Sequence, residues 1–204
     1  MTTDLRRSIF NAIMTGVDVD DAYSKIAKLN LSKTQKKEIP LVIIECCRNE
    51  AAYNPFYAAL SSYFIKSDKI FAKNLKIALR NTVKLMANTK FTALQIRNVS
   101  IFVFELIENR SIDLNILKGI NLIQQPAQGT LFINILFREL LQKWDKDLFI
   151  EQIDKISQMP NFGADLKKFF EQRLKVFLTE KSPNFPKDRL PILRQSINLL
   201  DRIQ

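Results

Sequence analysis

Residues 43–64 read IIECCRNEAAYNPFYAALSSYF, and this stretch decides which kind of fold the chain can adopt. The pair Asn54-Pro55 predicts a helix start, because asparagine caps helix N-termini and proline suits the first helical position. Phe56, Leu60 and Phe64 follow at helical spacing and predict the buried face of that helix. The stretch therefore predicts two successive helices joined by a short turn.

The helix before this turn has a start signal and an internal proline. Ser32 and Gln35 stand three positions apart, as in a capping box, and predict its N-terminus. Pro40 is expected to kink the helix, because a proline in a helix interior removes a backbone hydrogen bond. The positions expected to be buried beyond the kink are Leu41, Ile44 and Cys47.

Helical periodicity continues on both sides of this unit, with few turn residues to interrupt it. Gly16 is expected to end the first helix, and residues 121–130 are interpreted as a connector. Helices of ordinary length with short connections predict an all-α fold, an α-solenoid of stacked antiparallel helix pairs. The remaining helices are predicted at 4–14, 18–29, 68–86, 91–109, 113–119, 131–143, 146–158, 163–178 and 188–203.

The composition excludes most kinds of catalytic site. The 204 residues include 31 Lys and Arg, 21 Asp and Glu and no histidine, which gives a net charge of +10. Without histidine, Ser-His and Cys-His nucleophile pairs, histidine acid–base catalysis and most catalytic zinc sites are excluded. A basic helical chain of this kind is expected to bind an acidic partner rather than to catalyse a reaction.

The remaining reactive and acidic residues are expected to be structural. The adjacent Cys46 and Cys47 are expected to be reduced, because a disulfide between neighbours strains the peptide that joins them. Asp18, Asp20 and Asp21 form an acidic cluster, and the helix dipole explains its position in the first turn of a helix. No catalytic residue, metal site or cofactor is therefore predicted, and the chain is expected not to be an enzyme.

The most informative charges lie between residues 51 and 100, which hold eight cations and a single acid, Asp68. Five of the cations are spaced by 4, 3, 4 and 4 residues and fall within an arc of roughly 80° on one helix face. No carboxylate stands three or four positions away to neutralise them within the helix. The candidate binding residues are Lys69, Lys73, Lys76, Arg80, Lys84 and, in the following loop, Lys90.

The five helical cations, which we call the basic stripe, have three interpretations. They could bind RNA phosphates, dock on an acidic protein surface, or form a solvated helix face that binds nothing. In each case the other side of the helix is expected to face the core. The residues of that core side are Phe71, Leu75, Ala78, Leu79, Thr82 and Met86.

The aromatic residues are expected to be mostly core residues, because the phenylalanines recur at helical spacing. Trp144 stands at a helix end and is expected to be partly buried. Tyr53 and Tyr57 flank the Asn-Pro turn and are expected to pack between helices with their hydroxyls at the surface. None of these residues is expected to form the flat platform on which single-stranded RNA stacks.

Several motifs together resemble a known family. LRRSIFNAIMT at residues 5–15, followed by DDAY at 20–23, is similar to the start of an MA-3 domain, the helical repeat module of translation initiation scaffolds. IIECC at 43–47 and YNPFYA at 53–58 resemble the MA-3 domain of the nucleolar suppressor-of-glycerol-defect family, whose animal members are called nucleolar proteins with a middle domain of initiation factor four-G. SIDLNIL at 111–117 is similar to a later helix of the same family.

The resemblance implies a HEAT-like MA-3 domain at residues 4–123 and a C-terminal helical extension at 124–204 packed on it. It implies a non-enzymatic interaction module of the nucleolus or nucleus that acts in small ribosomal subunit biogenesis and 18S rRNA maturation. The expected partners are pre-ribosomal proteins, rRNA and a DEAD-box RNA helicase similar to initiation factor four-A. In this family a middle domain precedes the MA-3 domain and holds the helicase, so we expect this chain to be part of a longer protein.

Two alternatives stay open beside this interpretation. A scaffold of the pre-mRNA splicing machinery shares the same pair of domains and is the nearest competitor. Direct RNA binding through the basic stripe is the second alternative. In translation-type MA-3 domains acidic loop residues grip the helicase, whereas the corresponding loop here, residues 88–92, reads NTKFT and has no carboxylate. The same mode of helicase binding is therefore not expected.

Overall fold

The structure is a computed structural model that describes residues 2–88, 91–118, 120–179 and 189–201. The described residues form ten α-helices and a 3-10 helix at Leu114–Leu117, and the predicted all-α class is confirmed. Among them, no helix combines the length and the apolar character that crossing a bilayer requires. The helices are α1 Thr2–Met14, α2 Val19–Ala27, α3 Glu38–Asn49, α4 Phe56–Ser67, α5 Lys69–Asn88, α6 Ala93–Glu108, α7 Ala127–Lys143, α8 Lys146–Ser157, α9 Pro160–Thr179 and α10 Leu190–Leu200.

The chain divides into two compact units, Met1–Ile112 and Asp113–Gln204. The first unit contains α1 to α6, and the second contains the 3-10 helix and α7 to α10. The predicted domain bounds, 4–123 and 124–204, and the predicted packing of the extension on the MA-3 domain remain predictions.

The first unit is built from two layers of helices. α1, α3 and α5 lie side by side in one layer, and α2, α4 and α6 lie side by side in the other. Successive helices that alternate between two layers in this way form a HEAT-like solenoid, as predicted. Fully buried side chains fill the interior of this unit, among them Ile9, Ile43, Leu60, Leu75 and Phe102.

The helix start at Asn54-Pro55 lies one residue later than predicted, because Pro55 and not Asn54 occupies the N-cap position of α4. The Asn54 Oδ1 atom accepts a hydrogen bond from the Phe56 amide at 3.0 Å, and Pro55 has a helical φ of −67°. α4 therefore begins at Phe56, and it buries Leu60 and Phe64. The asparagine satisfies a backbone donor at the turn while the proline ring fixes the backbone angle, so two adjacent residues define the start of the helix.

The two tyrosines beside this turn donate hydrogen bonds to carboxylates. Tyr53 Oη lies 2.6 Å from Glu105 of α6, and Tyr57 Oη lies 2.6 Å from Glu50, which follows α3. Tyr57 is only 2% exposed, so the predicted surface position of its hydroxyl is wrong. Burial and, next, the hydrogen bond to the carboxylate raise the pKa of both phenols well above the usual range. These bonds tie the turn to both neighbouring helices.

The acidic cluster near the N-terminus caps α2, which confirms its predicted structural position. The Asp18 carboxylate accepts a hydrogen bond from the Asp21 amide at 2.8 Å, and Asp21 forms a 2.8 Å ion pair with Lys25. The hydrogen bond from Lys25 holds the pKa of Asp21 below its usual value. α1 ends at Met14, two residues before Gly16, and Gly16 lets the chain approach α2 closely, because a Cβ there would lie 2.7 Å from the Cβ of Ala22.

The predicted start and kink of α3 are wrong. The helix begins at Glu38, so Pro40 lies in its first turn, where a missing N–H breaks no helical hydrogen bond. The capping box does form, with the Ser32 amide 2.9 Å from the Gln35 side-chain oxygen. It closes a turn ahead of α3 instead of capping the helix, because Lys36 and Lys37 separate Gln35 from the first residue of α3, Glu38.

The second unit is packed around aromatic side chains. Phe132, Phe149 and Phe170 are fully buried, and the ring centroids of Phe137 and Phe170 lie 5.3 Å apart. Trp144 is buried more deeply than predicted, at 3% exposure, and its ring lies 6.0 Å from that of Phe149. The prediction that these aromatic residues belong to the core is confirmed.

α7 begins four residues before the predicted position. Pro126 occupies the N-cap and its carbonyl accepts a hydrogen bond from the Thr130 amide at 3.0 Å, so the helix starts at Ala127. The connector predicted at residues 121–130 is therefore shorter than expected. Gly129, which suggested a loop in the sequence, is instead a buried residue inside α7.

Candidate binding surface on helix α5

α5 begins where the sequence predicts because Asp68 caps it. One carboxylate oxygen of Asp68 accepts a hydrogen bond from the Ile70 amide at 2.8 Å, and the other lies 3.2 Å from the Lys36 ammonium. Partial burial acts to raise the pKa of Asp68, but the Ile70 amide and Lys36 outweigh it and hold the pKa below its usual value. The one acid between residues 51 and 100 is thus engaged at the helix start.

The inner face of α5 is apolar and packs on α3 and α4. All six residues predicted to face the core are buried, and Val83 joins them at 3% exposure. The Thr82 hydroxyl is satisfied within the helix, because it donates a hydrogen bond to the Ala78 carbonyl at 2.9 Å. This packing fixes the rotation of α5 about its axis, and it leaves the opposite arc of the helix to the outside.

The basic stripe lies on that outer arc. Lys69, Lys73 and Lys84 are exposed, and Lys76 and Arg80 are half-buried. From Lys69 to Lys84 the helix rises by about 22 Å, at 1.5 Å per residue. The arrangement of the five cations agrees with the pattern derived from their spacing, and their role in binding stays a prediction.

A row of uncharged side chains runs beside the basic stripe, and the sequence analysis did not single it out. Ile70 and Ile77 are 46% and 47% exposed, although both are large aliphatic residues. Asn74 and Asn81 continue the row, so the four positions are spaced by 4, 3 and 4 residues. We call these four residues the α5 seam. Helical periodicity could identify these four residues, because their angles around the helix axis lie outside the arc of the core residues.

The net charge of the first unit is concentrated around this helix. Residues 51–100 carry eight cations and one acid, whereas the rest of residues 1–112 carries nine of each. The excess of positive charge therefore belongs to a single region of the first unit. A concentrated charge of one sign attracts oppositely charged partners, whereas balanced charges screen one another.

The loop after α5 is described only in part. Thr92 caps α6 through a capping box, with the Gln95 amide 3.2 Å from the Thr92 hydroxyl. Arg48 lies over the ring of Phe91, with 4.5 Å between the guanidinium carbon and the ring centroid. The candidate residue Lys90 and its neighbour Thr89 lie outside the described residues, so the role of this loop in binding stays a prediction.

The cysteines have the environment of inert core residues. Cys46 and Cys47 are both buried and free. Burial, more than the neighbouring Glu45 and Glu50, raises the pKa of Cys46 to about 11, and burial raises the pKa of Cys47 further. In the part of the chain that the structure describes, no three His, Cys, Asp or Glu residues are grouped as metal ligands would be.

Comparison with known proteins places this chain in a family. The MA3 domain family matches residues 5–113. The human nucleolar MIF4G domain-containing protein 1 is 30% identical over 179 residues, which are 88% of this chain and 20% of that protein. Its homolog in Drosophila melanogaster is 27% identical over 207 residues, which are 100% of this chain and 24% of that protein.

A splicing protein is similar over a smaller part of the chain. The pre-mRNA-splicing factor cwc22 of Emericella nidulans is 26% identical over 141 residues, which are 68% of this chain and 16% of that protein. The chain therefore spans about a quarter or less of the length of these curated relatives. The predicted resemblance to the nucleolar proteins with a middle domain of initiation factor four-G is confirmed. The family match covers more than half of the chain and coincides with the two-layered first unit, and the chain belongs to the MA3 domain family.

Proposed function

We propose that this chain is a non-enzymatic interaction module of the nucleolus that acts in small ribosomal subunit biogenesis and 18S rRNA maturation. MA3 domains are protein-interaction modules, and the relatives are a nucleolar MIF4G domain-containing protein and a pre-mRNA-splicing factor. In this role the chain contacts proteins or rRNA of the pre-ribosome and supports a DEAD-box RNA helicase similar to initiation factor four-A.

The observation that carries the proposal is the extent of the similarity to the nucleolar relatives. Their similarity covers 88% and 100% of this chain, and so it continues far beyond the MA3 match, which ends at residue 113. The similarity to the splicing factors also extends past the MA3 match but covers less of the chain, between 67% and 78%. The greater extent of the likeness to the nucleolar proteins supports a role shared with them.

The contact surface in this proposal is the outer arc of α5. It carries the concentrated positive charge of the first unit, with three exposed lysines along about 22 Å of helix. Both RNA phosphates and acidic protein surfaces are attracted to such a surface. Lys90 belongs to the proposed surface by its position in the sequence, two residues beyond the end of α5.

A second candidate function is that of a scaffold in pre-mRNA splicing. The similarity to cwc22 supports it, because that protein is a pre-mRNA-splicing factor and is 26% identical over 141 residues. The two candidates differ in the particle that contains the chain. A precursor of the small ribosomal subunit distinguishes the first, and spliceosomal RNA distinguishes the second.

The test is recovery of partners from nuclear extract with the tagged chain, with and without nuclease. The proposal predicts recovery of precursor 18S rRNA, small-subunit assembly factors and the helicase. Survival of the protein partners after nuclease indicates protein contacts, whereas their loss indicates contacts through rRNA. Recovery of spliceosomal RNA in place of precursor 18S rRNA supports the second candidate and contradicts the first.

A pair of matched variants assigns the recovery to α5. In the stripe variant, Gln replaces each of the five cations of the basic stripe. The control variant removes the same number of charges from exposed lysines of the second unit. Loss of partners from the stripe variant alone supports the proposed surface, and equal recovery by both variants contradicts it. The control substitutions are at Lys118, Lys143, Lys146, Lys155 and Lys168.

A further inference from the structure

The α5 seam is unusual for an exposed helix face because it combines aliphatic side chains with a flanking row of charges of one sign. Ile70 and Ile77 stand seven residues apart, two helical turns, and each leaves nearly half of its surface in water. Asn74 and Asn81 repeat with the same period of seven. The spacing of 4, 3 and 4 residues is the one that presents a continuous seam to a second helix.

The basic stripe flanks this seam along one side. At about 100° per residue, Ile77 lies roughly 20° and Ile70 roughly 40° beyond Lys84, which marks the edge of the stripe. Lys73 immediately precedes Asn74, and Arg80 immediately precedes Asn81, so both cations take the flanking position of a heptad. In paired helices, charges at this position select partners that carry the opposite charge.

We infer that the α5 seam and the basic stripe together dock an amphipathic helix of another protein, one with an apolar and amide seam and a flank of Asp and Glu. The inference deepens the proposed function and rests on it in one respect, namely that the outer arc of α5 is the contact surface. The seam buries the aliphatic side chains of Ile70 and Ile77 against the partner helix, and the stripe pairs with its acidic flank.

Two other occupants fit the same face less well. RNA phosphates can pair with the lysines, but the bases of single-stranded RNA stack on exposed aromatic rings. The one aromatic residue of α5, Phe71, is buried, so α5 offers no ring for stacking. A second copy of this chain presents another basic stripe, and like charges that face each other across an interface oppose association. Charge complementarity with aliphatic contact therefore favours an acidic helix.

The test uses the 204-residue chain and three defined probes. The first probe is a peptide of about three heptads with Leu and Asn in its seam and Glu on both flanks. Mutual repulsion of the Glu side chains keeps the peptide from pairing with itself. The second probe has Lys in place of each Glu, and the third is oligouridine RNA of about 20 nucleotides. Binding is followed by fluorescence anisotropy at low and moderate salt.

Two pairs of substitutions separate the seam from the stripe. I70Q and I77Q remove the aliphatic contact and keep every charge, whereas K73Q and K84Q remove charge and keep the aliphatic contact. M14Q and L94Q are the control, because they replace two equally exposed apolar residues on α1 and α6. Circular dichroism verifies that each variant keeps its helicity, which is expected because all these side chains are exposed.

The inference predicts that the Glu peptide binds, that the Lys peptide does not, and that both test pairs weaken binding about tenfold or more while the control pair does not. Unchanged affinity in the seam variant overturns it, as does equal binding of the two peptides. RNA binding that depends on the stripe and not on the seam assigns the face to RNA and overturns the helix partner. A dimer that the seam variant dissociates assigns the face to a second copy and also overturns it.

Failure of this inference and failure of the proposed function are distinguishable. If the Glu peptide does not bind while precursor 18S rRNA and its assembly factors are still recovered, only the identity of the α5 occupant is wrong. If the peptide binds as expected while recovery yields spliceosomal RNA, the proposed function is wrong and the docking surface stands.

Discussion

Residues 43–64 and the outer arc of α5 use their polar side chains in opposite ways. In the first region, Tyr53, Tyr57 and Asn54 form hydrogen bonds within the domain, and both cysteines are buried. In the second, lysines and isoleucines stand side by side on the outside of the helix. The region with the more recognisable motif therefore builds the fold, and the region with a plain charge pattern supplies the candidate surface.

The difference shows why a motif and a binding surface need not coincide. Tyrosine, asparagine and cysteine are common in functional sites, but each of them has a partner or a buried position in residues 43–64 that accounts for its presence. On α5 the inner face fills the core positions, and Lys69, Lys73 and Lys84 of the outer arc stay exposed. Five predictions test this contrast, and the largest expected effect comes first.

Chemical modification is expected to distinguish the two regions, because burial slows the modification of Cys46 by about two orders of magnitude. With a pKa of about 11 and not the ordinary 9.0, Cys46 has about 100-fold less thiolate at pH 8, and thiolate is the reactive form. A maleimide is therefore expected to modify the cysteines slowly until denaturant unfolds the chain, whereas an amine reagent modifies Lys69, Lys73 and Lys84 in the native chain. Mass spectrometry measures both, and rapid labelling of native Cys46 contradicts the prediction.

The same thiol gives the stability a defined dependence on pH. Its folded pKa lies above its unfolded pKa, so its contribution is complete below about pH 9 and is lost as the pH rises towards 11. Wild type and C46A are expected to lose stability differently across this window, with the steeper loss in the wild type. Urea unfolding at pH 8 and pH 10 measures the difference, and parallel losses in the two proteins contradict it.

Most of the first unit could be predicted from the sequence because its signals are local. Asp18, Asn54 and Asp68 each stand at a helix start and accept a hydrogen bond from an amide two or three positions away. The core face of α5 likewise follows from spacing alone. The prediction fails at Pro40, where the sequence favours a kink in a helix interior, whereas the helix begins at Glu38 and places the proline in its first turn, where it is tolerated.

The contacts that could not be predicted join residues distant in the sequence. Tyr53 and Glu105 are 52 positions apart, so nothing near either residue shows that a hydroxyl and a carboxylate meet. The exposure of Ile70 and Ile77 depends on which arc of α5 the neighbouring helices cover, and periodicity leaves the edges of that arc open. The basic stripe can be predicted because the spacing of its charges is visible in the sequence of α5 alone. The exposure of the α5 seam cannot, because it depends on how other helices pack on α5.

Removal of the Tyr53 hydroxyl is expected to destabilise the first unit without affecting the α5 surface. Y53F leaves the Glu105 carboxylate without the donor that lies 2.6 Å away, and losing a hydrogen bond to a charged group costs about 1.5–3 kcal/mol. The control Y63F also removes a hydrogen bond to a carboxylate, that of Asp20, but at an exposed site where water replaces the lost donor, so it is expected to cost less than Y53F. Urea unfolding measures both. A change in partner recovery by folded Y53F would break the contrast between the two regions.

A smaller effect is expected at the proline of the Asn-Pro turn. Pro55 is exposed and has a helical φ of −67°, which alanine also adopts, so P55A acts mainly by giving the unfolded chain more freedom. The expected cost is about 0.4–1 kcal/mol in the free energy of unfolding. A loss above about 3 kcal/mol contradicts this prediction, because it indicates that the proline ring makes contacts on which the turn depends.

The smallest effects are expected to differ in sign between two helical lysines. Lys73 on α5 has Lys69 four positions before it and Lys76 three positions after it, so K73Q relieves repulsion and is expected to stabilise the chain by about 0.2–0.5 kcal/mol. Lys155 on α8 lies 2.5 Å from Glu151, four positions before it, so K155Q removes an attraction and is expected to cost about 0.3–0.5 kcal/mol. Urea unfolding at low salt compares the two variants.

Both differences are expected to shrink at about 1 M salt, where the screening length falls to about 3 Å. A loss of stability in K73Q at low salt would show that the basic stripe serves the fold, as the tyrosines do, and would remove the contrast.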